Sequence, residues 1–101
     1  MIFIYITCKD KKEAEKIGLV LIKKRLAACC NIFPIGSVYR WKGKIVKAKE
    51  VVLIVKTLKG NFKIIEKEVR KLHSYTIPCV LEIPIKRGNK NYLNWLGKEV
   101  K

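Results

Sequence analysis

Residues 28–57 read ACCNIFPIGSVYRWKGKIVKAKEVVLIVKT, and this stretch determines the fold because it predicts two long strands joined by a tight turn. The arms, 28–41 and 44–57, are rich in β-branched and aromatic residues. Lys42-Gly43 between them suits a two-residue hairpin turn in which glycine takes a positive φ. Pro34 and Gly36 interrupt the first arm, so we expect a bulge or a bend there.

The segment before the hairpin predicts a strand followed by a helix. Hydrophobic residues alternate along residues 2–8, with an aliphatic face formed by Ile2, Ile4, Ile6 and Cys8 and a more aromatic face formed by Phe3 and Tyr5. Asp10 with Glu13 three residues later is an aspartate form of the capping box, and it predicts a helix from about Lys11 to Leu26.

The segment after the hairpin predicts a second helix, a last strand and a short helical end. Phe62, Ile65, Val69 and Leu72 form the buried stripe of a helix that ends near His73. Alternation from Cys79 to Ile85, with prolines at 78 and 84, predicts the strand. Tyr92, Leu93, Trp95 and Leu96 make the end of the chain amphipathic.

The order β-α-β-β-α-β predicts a single α+β domain over 1–101, a ferredoxin-like sandwich with both helices on one face of the sheet and a short C-terminal helix. The other face is left bare. Each hairpin arm extends to roughly 46 Å, whereas a compact domain of this size is roughly 34 Å across. The hairpin should therefore overhang its domain. This overhang, together with the apolar surface formed by Tyr39, Trp41, Phe3 and Tyr5, predicts a homo-oligomer.

The net charge of +15 raises the hypothesis of a basic nucleic-acid-binding module. The 23 Lys and Arg residues are scattered along the chain, which favours a solvated basic surface. The second hairpin arm lacks the aromatic residues with which an RNA-binding sheet stacks bases. No apolar run approaches 18 residues and the first residues do not resemble a signal peptide, so we expect a cytoplasmic protein without a membrane partner.

Four cysteines are predicted to be free thiols, because nothing indicates export and no C-x-x-C spacing suggests zinc or a redox pair. Cys29 and Cys30 should face opposite sides of their strand. We find no glycine-rich phosphate loop, no nucleophile motif and no His-Glu metal motif. The sequence therefore predicts a protein that is not an enzyme.

A set of residues spread over nearly the whole chain resembles the CutA family of divalent-cation tolerance proteins. These residues are Arg25-Leu26-Ala27-Ala28-Cys29, Asn31, Ile32, Pro34, Ser37, Tyr39, Trp41, Gly43, Glu50, Lys56-Thr57, His73, Tyr75, Pro78, Pro84, Ile85, Gly88, Tyr92-Leu93 and Trp95. The resemblance implies a ferredoxin-like fold in a tight homotrimer similar to the PII signalling proteins. It also implies a role in the response to metal ions, with copper binding in some members.

Two residues are candidate metal ligands. His73 offers an imidazole and Cys79 a soft thiolate suited to Cu(I), so copper, as Cu(I) or Cu(II), or another divalent cation is the expected ligand. The family segment usually has proline and glutamate where this chain has Ser74 and Cys79. The alternative is structural: His73 bonds carbonyls at the end of its helix, and Cys79 packs on the strand face that carries Leu81 and Ile83.

Five residues are candidates for a cleft or interface between subunits: Tyr39, Trp41, Glu50, Tyr75 and Trp95. PII-like trimers hold ligands in such clefts, and the alternative is that the aromatic residues are interface core. Glu50 is expected to pair with Arg40 or with a lysine of a neighbouring strand. A small-molecule sensor that signals through protein partners is thus the second functional hypothesis beside metal tolerance.

Overall fold

The computed structural model describes residues 1–101, and its elements follow the predicted order. The strands are β1 (Ile2–Cys8), β2 (Cys29–Trp41), β3 (Lys44–Thr57) and β4 (Val80–Pro84), and the helices are α1 (Lys11–Lys23), α2 (Phe62–Leu72) and α3 (Lys90–Glu99). A single 3-10 turn, Lys59–Asn61, leads into α2. The four strands form one antiparallel sheet in the order β2-β3-β1-β4, so the α+β ferredoxin-like prediction is confirmed.

The core lies between the sheet and the two long helices. Ile2, Ile4, Ile6 and Cys8 are at most 2% exposed, as their alternation along β1 predicted. They pack in one cluster with α1, α2 and the Leu53 and Val55 side chains of β3. Burying this aliphatic surface is the main favourable contribution to folding. The opposite face of the sheet, which we call the open face, carries Phe3 and Tyr5 on β1.

The hairpin is one residue shorter than predicted in its first arm, and it contains no bulge. Its register pairs Cys29 with Lys56 at one end and Trp41 with Lys44 at the other, with one partner for each residue between. The predicted interruption at Pro34 and Gly36 is therefore wrong. β2 is an edge strand, where proline is tolerated because one side of the strand needs no backbone donor. At the tip, Lys42 and Gly43 have φ of 50° and 77°, the positive values of a type I′ turn.

The hairpin overhangs the rest of the domain. β1 pairs with β3 only over residues 51–57, so residues 44–50 of β3 pair with β2 alone. The chain consequently measures 45 × 26 × 21 Å. The overhang exposes Tyr39 and Trp41, which are 43% and 42% exposed.

The sequence predicted that helix α1 would end at about Leu26, but the helix ends at Lys23. Arg25 takes a positive φ of 57°. Its amide donates to the Ile22 carbonyl and the Leu26 amide donates to the Leu21 carbonyl, each at 3.0 Å, which is the Schellman pattern. Glycine usually holds this position, so the residue type at position 25 does not mark the end of the helix. The Arg25 guanidinium then donates to the carbonyls of Lys98 and Glu99 at the end of α3.

The last strand is shorter than predicted, since Cys79 and Ile85 lie just outside β4. β4 pairs only with β1, opposite residues 2–6. No helix of the structure combines the length and the apolar character that crossing a bilayer requires.

Candidate functional site

Three potential metal ligands meet where β1, α1 and α2 approach one another. Cys8 is the last residue of β1, Glu13 lies in the first turn of α1, and His73 caps the C-terminus of α2. One ligand atom from each lies within 4.8 Å of the other two. Cys8 is fully buried and Glu13 is 7% exposed, and the His73 side chain is sealed from solvent. We call these three residues the ligand cluster.

The Glu13 carboxylate is fixed by two backbone amides. Oε1 accepts a hydrogen bond from the Lys9 amide at 3.0 Å, and Oε2 accepts one from the Ser74 amide at 2.9 Å. The amide of Glu13 itself donates to Asp10, which confirms Asp10 as the N-cap of α1. Burial acts to raise the pKa of Glu13, but the hydrogen bonds from Lys9 and Ser74, with the nearby His73, outweigh it and lower that pKa. Glu13 therefore places an ionised oxygen in the cluster.

The His73 ring has a defined tautomer. Its Nδ1 accepts a hydrogen bond from the Tyr75 amide at 3.1 Å, and its Nε2 lies 2.7 Å from the Thr7 carbonyl oxygen. Because an amide can only donate and a carbonyl can only accept, the ring proton of the neutral imidazole is on Nε2. The expected contact with carbonyls of its own helix is thus wrong, because the ring reaches the end of β1. Nε2 also lies 3.9 Å from Glu13 Oε1.

The Cys8 thiol is protonated in this environment. Burial, and then the carboxylates of Glu13, Asp10 and Glu50, raise its pKa to about 12. A metal ion would have to displace that proton, as metals do when they bind cysteine. Sulfur, imidazole nitrogen and carboxylate oxygen together form a donor set that suits Zn²⁺ or copper better than Mg²⁺ or Ca²⁺.

A separate open cleft of about 820 Å³ lies on the open face, between the overhanging hairpin and residues 74–79. Four of the five predicted cleft residues line it: Tyr39, Trp41, Glu50 and Tyr75. The fifth, Trp95, lies on α3, where its ring is 5.5 Å from that of Tyr92. The structure therefore brings the hairpin candidates together with Tyr75 and leaves Trp95 apart from them.

Glu50 and Tyr75 are hydrogen-bonded across the cleft. The Tyr75 hydroxyl donates to Glu50 Oε2 at 2.7 Å. Burial, and then the Glu50 carboxylate, raise the pKa of Tyr75, so its hydroxyl keeps its proton and acts as the donor. Glu50 is only 8% exposed and forms no ion pair, so the predicted pairing with Arg40 or a lysine is wrong. Arg40 pairs with Ile45, so these two side chains lie on the same face of the sheet. Side chains alternate along a strand, so residues 45 and 50 lie on opposite faces. The Arg40 side chain is therefore on the face opposite to Glu50.

Comparison with known proteins identifies the family. Residues 2–99 match the family model described as CutA1 divalent ion tolerance protein. The chain belongs to the CutA1 family. The divalent-cation tolerance protein CutA of Archaeoglobus fulgidus is 50% identical over 98 residues, which cover 97% of this chain and 96% of that protein. The CutA of Thermus thermophilus is 42% identical over 94 residues, which cover 92% and 91%.

Solved CutA structures have the same fold. The Archaeoglobus fulgidus structure, described as that of a periplasmic divalent cation tolerance protein, has a TM-score of 0.97 and 49% identity, and the match covers all of both chains. CutA1 from Pyrococcus horikoshii has a TM-score of 0.96 and 37% identity, over 100% of this chain and 99% of that one. The resemblance inferred from single residues is therefore confirmed over the whole chain.

The two predicted metal ligands of this CutA1 chain lie in different places. His73 belongs to the ligand cluster, whereas Cys79 lines the cleft beside Ser74 and Tyr75 and is not a member of the cluster. Burial raises the pKa of the Cys79 thiol, although a hydrogen bond with Thr7 acts in the other direction. All four cysteines are free, as predicted. Cys30 packs against Gly18 of α1, so it faces the helices and Cys29 faces the other side.

Sequence reasoning missed Cys8 and Glu13 as partners of His73. Cys8 fitted the aliphatic face of β1, and Glu13 fitted the capping of α1, so each had a sufficient structural explanation. One signal was present in the order of elements. Because β1 ends and α1 begins at the same edge of the sheet, their junction at residues 8–13 had to lie near the point where α2 ends and the chain turns back to β4.

Proposed function

We propose that this CutA1 chain acts in divalent-cation tolerance by binding a metal ion itself, as a homotrimer without enzymatic activity. The observation that supports direct binding is the ligand cluster, in which Cys8, Glu13 and His73 present sulfur, oxygen and nitrogen donors within 4.8 Å of one another. Three protein ligands are enough to hold a zinc-like or copper ion when another group or a water completes the coordination.

Copper is the expected cation. A cysteine thiolate and an imidazole suit Cu(I), and Cu(II) stands at the top of the affinity order of divalent first-row metals. Metal binding at this site has an unfavourable contribution, because Nε2 of His73 must give up its proton and its contact with the Thr7 carbonyl oxygen. If the proton moves to Nδ1, the bond from the Tyr75 amide is also lost. We therefore expect weaker binding than in a pre-formed site, and we expect binding to loosen residues 73–75.

Calorimetric titration of the reduced protein with Cu(I), Cu(II) and Zn²⁺ tests this proposal. Cys8→Ala should weaken binding of the preferred ion by at least about tenfold, which is about 1.4 kcal/mol. Cys79→Ala is the matched control, since it removes a thiol that lies outside the cluster. The opposite result, with loss only in Cys79→Ala, would assign the ion to the alternative pair His73 and Cys79. Absence of binding by the unmodified protein would refute direct metal binding.

The homotrimer is supported by the overhanging hairpin and by the apolar open face. Large side chains on that face are 40–56% exposed: Phe33, Tyr39, Trp41, Leu81 and Ile83. A monomer rarely leaves so much apolar surface uncovered. Sedimentation at micromolar protein should give about 35 kDa, three times the 11.7 kDa of one chain. A mass of one chain would overturn the assembly.

A cytoplasmic location is part of the proposal and rests on the four free thiols, which a reducing compartment maintains. The Archaeoglobus fulgidus relative is described as periplasmic, so the two compartments are the alternatives. Fractionation of the source cells, with thiol labelling before lysis, distinguishes them. Protein in the soluble cytoplasmic fraction with all thiols reduced supports the proposal, and recovery from the cell envelope contradicts it.

A small-molecule sensor is the second candidate function, because the open cleft is large enough for a ligand of that class. Small-molecule sites commonly enclose about 300–1,000 Å³ and combine apolar walls with a few polar groups. The cleft, at about 820 Å³, has that character. Its lining contains no lysine or arginine, so it does not have the electrostatic character of a nucleic-acid interface.

A further inference from the structure

The open cleft differs in charge from the rest of the molecule. Lys and Arg make up 23 of the 101 residues, yet none of the 14 residues that line the cleft is a Lys or an Arg. Glu50 is the only charged residue among them. Four aromatic side chains also line the cleft: Tyr5, Tyr39, Trp41 and Tyr75. In a chain of net charge +15, a cleft with one carboxylate and no cation is a local exception.

Only one of the two oxygens of the Glu50 carboxylate accepts a hydrogen bond from the protein. Its Oε2 accepts the hydrogen bond from Tyr75, whereas its Oε1 accepts none within the chain. Glu50 is more than nine-tenths buried. No sealed side-chain nitrogen or oxygen of the protein lacks a hydrogen-bond partner, so Oε1 is not sealed, and Glu50 is one of the residues that line the cleft. A buried carboxylate with one open oxygen attracts a positively charged partner.

We propose that the cleft binds a small organic cation, an ammonium group that carries a short apolar body. The carboxylate supplies the charge, and the faces of the aromatic rings attract an ammonium through their quadrupoles while they cover the apolar body. An anionic ligand would meet Glu50 without any lysine or arginine to balance it. Mg²⁺ or Ca²⁺ would need several oxygen ligands, and only one carboxylate is present. The inference rests on the sensor function proposed above and names its ligand class.

Choline and its uncharged isostere 3,3-dimethylbutan-1-ol are the probes that test this inference. They share size and shape and differ in charge. Binding is followed by calorimetry and by tryptophan fluorescence, since Trp41 lines the cleft and Trp95 does not. We expect choline to bind and to change the fluorescence, and the isostere to bind at least about tenfold more weakly.

Two variants locate the binding. Glu50→Gln removes the charge and keeps an oxygen that can accept from Tyr75, and it should weaken choline binding by about tenfold or more. Glu15→Gln is the matched control, because Glu15 is exposed on α1 and the change in net charge is the same. Trp41→Leu, at the exposed hairpin tip, should abolish the fluorescence response and weaken binding if the ring contacts the cation.

The outcomes separate this inference from the function on which it rests. Equal binding of choline and the isostere would leave a small-molecule site in place but would overturn the preference for a cation. Binding of neither probe would overturn the cation site, and a sedimentation experiment on the same sample would then show whether a second copy of the chain covers the cleft. Unchanged choline affinity in Glu50→Gln would remove the carboxylate from the site.

Discussion

Removing the Tyr75 hydroxyl, by Tyr75→Phe, tests the contact that joins residues 73–79 to the overhanging hairpin. The hydroxyl donates to Glu50 Oε2 at 2.7 Å. A hydrogen bond to a charged group contributes about 1.5–3 kcal/mol. We expect a loss of about 1.5 kcal/mol in the free energy of unfolding, at the lower end of that range, because the second oxygen of Glu50 stays open to the cleft. For a domain of this length, such a loss lowers Tm by roughly 6–12 °C.

Urea unfolding at one fixed chain concentration measures the loss, since the stability of an oligomer depends on concentration. Tyr92→Phe is the matched control, because it removes a hydroxyl that forms no hydrogen bond with the chain. We expect this control to change the free energy of unfolding by less than about 0.5 kcal/mol. Hydrogen exchange should show faster opening at residues 74–79 in Tyr75→Phe only.

A double-mutant cycle with Glu50→Gln isolates the pair from other effects of either change. Glutamine can still accept the bond but lacks the charge, so Tyr75→Phe should cost about half as much in that background. Two results would refute the reasoning. Tyr75→Phe as stable as Tyr92→Phe would mean that the bond does not hold the segment, and strict additivity in the cycle would mean that Glu50 is not its energetic partner.

Three further predictions concern the cluster, the end of α1 and the core. The pKa of Glu13 is lower in the folded protein than its ordinary value. The pKa of an unfolded glutamate is about 4.3, so Glu13 contributes fully to stability above that pH. The contribution is lost as the pH falls through the folded pKa. Urea unfolding between pH 3 and 7 should show this loss, and Glu13→Gln should flatten it. Arg25→Lys keeps the charge but removes the paired bonds to the α3 carbonyls, so it should cost about 1 kcal/mol and speed hydrogen exchange in α3, whereas unchanged exchange would contradict that role. Leu53→Ala, at a fully buried position, should cost about 2–5 kcal/mol, and a cost below about 1 kcal/mol would contradict the packing described.

Much of the fold was predictable because hydrophobic periodicity determines which faces are buried. The alternation along β1 identified its buried face, and the Lys42-Gly43 turn identified the hairpin. The errors arose where tertiary context overrides local propensity. Pro34 is accommodated because β2 lies at an edge, which the order of strands decides and no local pattern shows. Arg25 ends α1 in a conformation that its residue type disfavours.

The candidate sites were predictable only in part. Tyr39, Trp41, Glu50 and Tyr75 line one cleft of the single chain, and their place between subunits stays a prediction. The ligand cluster was not found, because Cys8 and Glu13 are separated from His73 by more than 55 residues and each already had a structural role. The prediction of a cationic partner for Glu50 was wrong for a related reason. The lysine-rich run around Glu50 predicted a lysine or arginine partner, whereas the segment between α2 and β4 brings the hydroxyl of Tyr75 to the carboxylate.

X-ray absorption spectroscopy of the reduced protein with one equivalent of Cu(I) tests most directly whether this CutA1 protein binds metal through Cys8, Glu13 and His73. We predict a first coordination shell that contains one sulfur together with nitrogen or oxygen. The sulfur signal should disappear in Cys8→Ala and persist in Cys79→Ala. A shell without sulfur, or a sulfur signal that disappears only in Cys79→Ala, would contradict the assignment of the ligand cluster.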